Sequence, residues 1–112
     1  MRILAIEREL PTPRRPDLPH LLHDEAAGVW DLLKRGLIRD IWFTAGDNRA
    51  IIILECSGAT EAREHLARLP LVQTAVIDFT LHELRTYDGF ERLFTQAGAE
   101  PPVHLREEPP EY

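Results

Sequence analysis

Four consecutive large aliphatic residues, Ile51-Ile52-Ile53-Leu54, constrain the fold of this chain more than any other segment. Side chains of a β-strand point alternately to opposite faces of the sheet, so an unbroken apolar strand needs cover on both faces. Helices of the same chain can cover one face. The other face must find a partner sheet, and burial alone therefore predicts a homodimer or a higher homo-oligomer.

The hydrophobic patterns elsewhere predict a βαββαβ order. We expect strands at 2–9, 37–45, 49–56 and 74–86, and helices at 19–35 and 59–69. Gly46-Asp47-Asn48 predicts the hairpin turn between the two middle strands. This order is the split βαβ, or ferredoxin-like, pattern of an α+β fold: a four-stranded antiparallel sheet with two helices on one face.

The 112-residue chain is long enough for one hydrophobic core but not for two. We expect residues 1–86 to form the ferredoxin-like domain. Residues 87–112 are expected to add a short helix at 88–96 and a Pro-rich tail. Four prolines within residues 11–19 exclude helix and strand from the first connection.

Composition excludes several classes of function. A formal net charge of −6 argues against a nucleic-acid partner, because phosphate binding needs a basic surface. No apolar run approaches the roughly 20 residues that a membrane span requires. One cysteine, Cys56, cannot form an internal disulfide and suits the cytoplasm. No phosphate-binding glycine loop, paired cysteine motif or nucleophile elbow occurs, and we expect no cofactor.

The first helix carries a candidate general base, Glu25. Apolar residues at 22, 26, 29, 30, 33 and 37 form its buried stripe, and Glu25 lies about 90° from the centre of that stripe. A carboxylate at such a margin is partly desolvated, which raises its pKa toward that of a useful base. The alternative is a glutamate whose stem covers the core edge while its head reaches water.

Two histidines occupy the first turns of the same helix. His20 and His23 are spaced i, i+3 and could share a metal, but no third ligand is evident and we expect no metal site. His23 could instead shuttle protons, since its ordinary pKa is about 6.5. A histidine that simply faces solvent is the competing interpretation.

The following strand supplies candidates for substrate binding. A guanidinium at Arg39 could clamp a carboxylate with two hydrogen bonds, or could form a salt bridge within the sheet. Trp42 could form a pocket wall or belong to the core. Strict alternation places Arg39 and Trp42 on opposite faces, unless a bulge intervenes or a dimer supplies both sides of the site.

These residues also form a pattern that resembles the muconolactone isomerase family. The pattern runs over about half of the chain and consists of Asp24-Glu25, Gly36, Arg39, Trp42, Ala45-Gly46, Leu66 and Leu69-Pro70-Leu71. The resemblance implies a dimeric α/β barrel that often assembles into larger rings. It also implies cofactor-free isomerisation of an unsaturated lactone acid by proton transfer, with Glu25, Arg39 and Trp42 lining the pocket.

Three functional hypotheses result. The first is a cofactor-independent isomerase for a small anionic lactone or enol, with Glu25 moving the proton, Arg39 holding the carboxylate and Trp42 shaping the wall. The second is a non-catalytic dimeric module that binds a small molecule or regulates another protein. The third is a cofactor-free oxygenase or cyclase, because one fold hosts many chemistries.

Overall fold

A computed structural model describes residues 1–95 of the chain. Its elements are β1 (Arg2–Glu9), α1 (Leu18–Lys34), β2 (Ile38–Phe43), β3 (Ala50–Glu55), α2 (Ala59–Ala67), α3 (Pro70–Gln73), β4 (Ile77–Leu84) and a 3₁₀ turn (Gly89–Leu93). The four strands form one antiparallel sheet in the order β2-β3-β1-β4. The predicted ferredoxin-like α+β fold is therefore confirmed.

The core lies between the helices and one face of this sheet. Its buried members are Ile3, Ala5, Leu32, Ile38, Ala50, Ile52, Leu54, Ala62, Leu66, Leu69, Ile77 and Phe79. Burial of one such large aliphatic or aromatic side chain stabilises a fold by about 1.5–3 kcal/mol. The helices thus give the apolar β3 strand the cover that it needs on one face.

The other face of the sheet, which we call the uncovered face, is also apolar. Its central side chains are Leu4 and Ile6 of β1 with Ile51 and Ile53 of β3, all of them only half-buried. Trp42 pairs with Ile51 on this face and is 66% exposed. Residues 1–95 of a single chain therefore leave one side of β3 without the cover that the sequence demands.

Helix α1 ends as its glycine predicts. Gly36 adopts a φ of +78°, a left-handed conformation that glycine tolerates best. The N–H groups of Gly36 and Leu37 donate to the carbonyls of Leu33 and Leu32 at 3.1 and 3.0 Å, the paired bonds of a Schellman motif. This turn directs the chain from the helix straight into β2.

Helix α1 begins without a side-chain cap, although its N-cap residue is one that commonly provides it. Asp17 occupies the N-cap position, but its side chain makes no capping hydrogen bond. The Arg15 guanidinium instead donates two hydrogen bonds to the Asp17 carboxylate, at 3.1 and 3.0 Å. An ion pair with a nearby residue has replaced the side-chain cap.

Strand β2 contains a bulge at Arg39. Ile38 pairs with Leu54 and Asp40 pairs with Ile53, so Arg39 has no opposing residue in β3. Because of this extra residue, Ile38 and Ile41 both face the helices, and Trp42 faces the other side. Strict alternation would place Ile38 and Trp42 on the same face, and the bulge puts them on opposite faces.

The region after α2 also departs from the prediction. The chain forms the short helix α3 where a connection was expected, and β4 begins at Ile77 instead of Thr74. Ala75 takes a φ of +57° and cannot belong to a regular strand. The 3₁₀ turn lies within the expected helix at 88–96. Gln96 and the expected Pro-rich tail fall outside the described residues, and the domain boundary at residue 86 stays a prediction.

Candidate functional site

A cleft of about 490 Å³ opens between α1 and the helix-covered face of the sheet. Its apolar walls come from α1, α3 and the strands β2, β3 and β4: Leu22, Ala26, Val29, Trp30, Leu33, Ile41, Phe43, Ala50, Ile52, Leu71, Ile77 and Phe79. Its other lining residues are Glu7, Glu25 and Asn48. An apolar cavity with a few convergent polar groups is the usual form of a small-molecule site.

Glu25 lies in the wall of this cleft, where helical periodicity placed it. Its Oε1 accepts a hydrogen bond from the backbone N–H of Leu71 at 3.0 Å, which fixes the carboxylate against the start of α3. Burial raises the pKa of Glu25; the Leu71 hydrogen bond opposes this, and the nearby charge of Glu7 adds to it. A half-buried carboxylate with a raised pKa is suited to accept and return a proton.

Glu7 is a second carboxylate in the cleft, and it was not among the site residues predicted from the sequence. It follows Ile3 and Ala5 on the helix-covered side of β1, where its Oε1 accepts the backbone N–H of Ala50 at 3.2 Å. The signal for it was the two-residue alternation of β1, which predicts that Glu7 shares a face with two core residues. Because Leu4 and Ile6 on the other face of β1 are apolar as well, this alternation is difficult to recognise in the sequence alone.

His23 lies outside the cleft. Its side chain is 86% exposed, and its Nδ1 is 3.6 Å from the Asp24 carboxylate on the solvent side of α1. His20 is exposed as well. The structure therefore does not bring His23 next to Glu25. Within residues 1–95, no three His, Cys, Asp or Glu side chains converge as metal ligands would.

The Arg39 and Trp42 side chains do not line the cleft either. Arg39 is exposed in the bulge. Its charge helps to lower the pKa of Glu55, after the larger effect of the amino-terminal group, whose nitrogen is 2.9 Å from the Glu55 carboxylate. Trp42 belongs to the uncovered face. In one chain, Glu25 is thus separated from both residues that were expected to bind substrate.

A larger depression, of about 650 Å³, lies between the start of α2 and the end of β4. Its Glu83 accepts the backbone N–H of Ala59 at 3.0 Å, which satisfies one of the donors that a helix start leaves open. That bond gives Glu83 a structural role. Glu25 makes a similar bond, but it is half-buried among apolar side chains whereas Glu83 is exposed, so the cleft beside Glu25 is the better candidate for chemistry.

None of the helices described in residues 1–95 has the length and apolar character needed to cross a lipid bilayer.

Comparison with known proteins relates the chain to others through structure and not through sequence. No protein-family model matches it, and no curated protein matches it in sequence. Muconolactone isomerase superimposes with a TM-score of 0.67 at 18% identity, covering 91% of this chain and 100% of that one. A 5-chloro-2-hydroxyhydroquinone dehydrochlorinase from Burkholderia phenoliruptrix AC1100, in complex with 2,5-dihydroxybenzoquinone, superimposes with a TM-score of 0.55 at 14% identity, covering 76% and 94%.

Identities this low establish architecture and leave activity open. The agreement extends over most of this chain and over almost all of both neighbours. The chain therefore has a muconolactone isomerase-like fold.

Proposed function

We propose that this protein is a cofactor-free, isomerase-like enzyme in which Glu25 moves a proton on a small lactone or enol bound in the cleft. The observation that carries the proposal is the position of Glu25: a half-buried carboxylate with a raised pKa in the wall of an apolar cavity. The volume of about 490 Å³ falls within the range of small-molecule sites. The dehydrochlorinase complex with 2,5-dihydroxybenzoquinone supports a small ring as the ligand.

The chemistry needs one base and one flat substrate. The Glu25 carboxylate takes the proton from the carbon next to the lactone carbonyl, and the electron pair of that C–H bond delocalises into a dienolate. Glu25 then returns the proton to the far end of the dienolate, which shifts the double bond. The Asn48 amide in the lining can donate a hydrogen bond to the enolate oxygen.

An anionic substrate would also need a cationic group to bind its carboxylate. In that form of the proposal, Arg39 holds the substrate carboxylate and Trp42 closes the wall. Both lie outside the cleft of a single chain, so a neighbouring copy would have to present them. The proposal therefore extends to a cytoplasmic homodimer or larger homo-oligomer. Because the uncovered face lies on the opposite side of the sheet from the cleft, the copy that completes the site would make a second contact, separate from the pairing of the uncovered faces.

Isomerisation of α-angelica lactone in heavy water tests the proton transfer. NMR follows both the shift of the double bond and the entry of deuterium into the ring. Replacing Glu25 by Gln keeps an amide oxygen for the Leu71 N–H but removes the base, and should lower the enzymatic rate by about two to four orders of magnitude. Asp24→Asn is the matched control, because Asp24 is the exposed neighbour. Equal rates for wild type and Glu25→Gln would refute the role of Glu25.

A non-catalytic binding module is the second candidate. The bond between Glu25 and Leu71 favours it, because that bond also gives Glu25 a structural reason to be there. In this case wild-type protein would bind the lactone without accelerating deuterium exchange.

A further inference from the structure

We infer that Glu7 makes the cleft select neutral ring compounds and reject carboxylates, an inference that rests on the proposed proton transfer by Glu25. The substrate class would then be an uncharged enolisable lactone, or a ring whose hydroxyl groups are protonated. This class differs from the anionic lactone that the sequence pattern suggested.

The two carboxylates approach the ligand space from opposite layers of the fold. Glu7 projects from the sheet and Glu25 from α1, and both belong to the lining of the same cavity. Each is held by one backbone N–H, from Ala50 at 3.2 Å and from Leu71 at 3.0 Å. A carboxylate can accept several hydrogen bonds, so each retains capacity for a donor on the ligand.

The charged side chains that line the cleft are both carboxylates. Within the described part of the chain, no Arg, Lys or His belongs to the lining. The Arg49 guanidinium donates to the backbone carbonyl of Glu7 at 3.2 Å, and together with Arg8 it lines a neighbouring depression that Glu7 also borders. Neither guanidinium belongs to the lining of the cleft itself. A ligand carboxylate would therefore meet Glu7, and Glu25 when ionised, without a counter-charge in the walls.

Apolar walls make this repulsion effective. Twelve of the lining residues are apolar or aromatic, and low polarity strengthens the interaction between charges. An added carboxylate should weaken binding by about tenfold or more, since a charge repelled across a partly desolvated site loses at least that much affinity. A neutral hydroxyl or lactone oxygen avoids this loss.

Two matched ligands test the selection on the full-length protein. One is α-angelica lactone, which is neutral. The other is its analogue with a carboxymethyl group in place of the ring methyl. Ligand-observed NMR at neutral pH gives a dissociation constant for each. Wild-type protein should bind the neutral lactone about tenfold more tightly, or better.

Glu7→Gln isolates the contribution of Glu7. The glutamine oxygen can still accept the Ala50 N–H, so the strand pairing is kept while the charge is removed. This variant should bind the carboxymethyl lactone about tenfold more tightly than wild type, so the preference for the neutral lactone over the carboxymethyl lactone should fall by about the same factor. Glu9→Gln removes the same charge from an exposed position on the same strand and should change neither constant.

Tighter wild-type binding of the carboxymethyl lactone, or an unchanged preference in Glu7→Gln, would overturn the inference. Either result would leave the deuterium-exchange test of Glu25 untouched. Conversely, full exchange activity in Glu25→Gln would end the proposed function, while the binding preference would still report the charge of the cleft.

Discussion

The Glu25 carboxylate on α1 accepts the backbone N–H of Leu71, a residue 46 positions further along the chain, at 3.0 Å. Leu71 lies in the first turn of α3, whose open N–H groups favour a negative partner. One bond therefore holds the candidate base in place and also positions a wall of the cleft. Its two roles can be separated by substitution.

Glu25→Ala should lower the free energy of unfolding by about 1–2 kcal/mol, because it leaves the half-buried Leu71 N–H without its acceptor. Glu25→Gln should stay within about 0.5 kcal/mol of wild type, since its amide oxygen can accept the same bond. Urea denaturation followed by circular dichroism measures both. Similar losses in the two variants would show that the bond to Leu71 is not what Glu25 contributes to stability.

The raised pKa of Glu25 predicts how activity depends on pH. The base must be ionised, so the rate of proton exchange should rise with pH through a pKa above the ordinary value of 4.5. Burial is the main cause of the shift, and the nearby charge of Glu7 contributes. Rate profiles together with NMR titration of the Glu25 carboxyl carbon test this. An ordinary titration at this carboxyl would contradict the proposal.

The same shift predicts the pH dependence of stability. A carboxyl with a raised folded-state pKa contributes stability that is fully present below the unfolded value, near 4.5, and is lost as pH rises through the folded value. Glu25→Gln cannot ionise. Its unfolding free energy should therefore improve relative to wild type as pH rises through that window. Denaturation curves at several pH values give the comparison.

The uncovered face of the sheet should mediate self-association. Ile53→Glu places a charge at the centre of that face and should convert an oligomer to monomers, because an unpaired charge is costly in an apolar interface. Ala27→Glu adds the same charge at an exposed position on α1 and serves as the control. Light scattering coupled to size-exclusion chromatography gives the mass. A monomeric wild-type protein would contradict the expectation.

The bulge predicts that Arg39 is dispensable for the sheet. Deleting Arg39 leaves Ile38 and Ile41 facing the helices, since Asp40 then follows Ile38 in regular alternation. Deleting Trp42 instead reverses the alternation of the residues before it, so that Ile38 and Ile41 would point away from the helices. This deletion should therefore be far more destabilising. Thermal unfolding of the two deletion variants tests the difference, and equal losses would argue against the bulge.

The sequence predicted the elements whose signals are local. Gly36 is a natural stop for α1, and the turn residues Gly46-Asp47-Asn48 between two apolar segments predicted the β2–β3 hairpin. Ala62, Leu66 and Leu69 are spaced by four and three residues within the helix predicted at 59–69, as residues on one helix face are, and all three are buried. Glu25 was found in the same way, because helical periodicity fixes which side of α1 it occupies.

The features that were missed depend on the tertiary structure. Pairing with β3 reveals the bulge at Arg39, and no pattern within β2 alone shows it. Glu7 is a site residue because a cavity lies between α1 and the sheet at its position, and the sequence of β1 does not show that cavity. The α3 helix is too short for periodicity to identify, and its position is set by packing against α1 and by the Glu25 bond.

Arg39, the extra residue in β2, also determines where this sheet tolerates substitution. Because residue 39 has no paired residue in β3, its charge can be removed or reversed without any rearrangement of the core. The identity of residue 39 can therefore follow the needs of a ligand or a neighbouring subunit independently of the architecture beneath it.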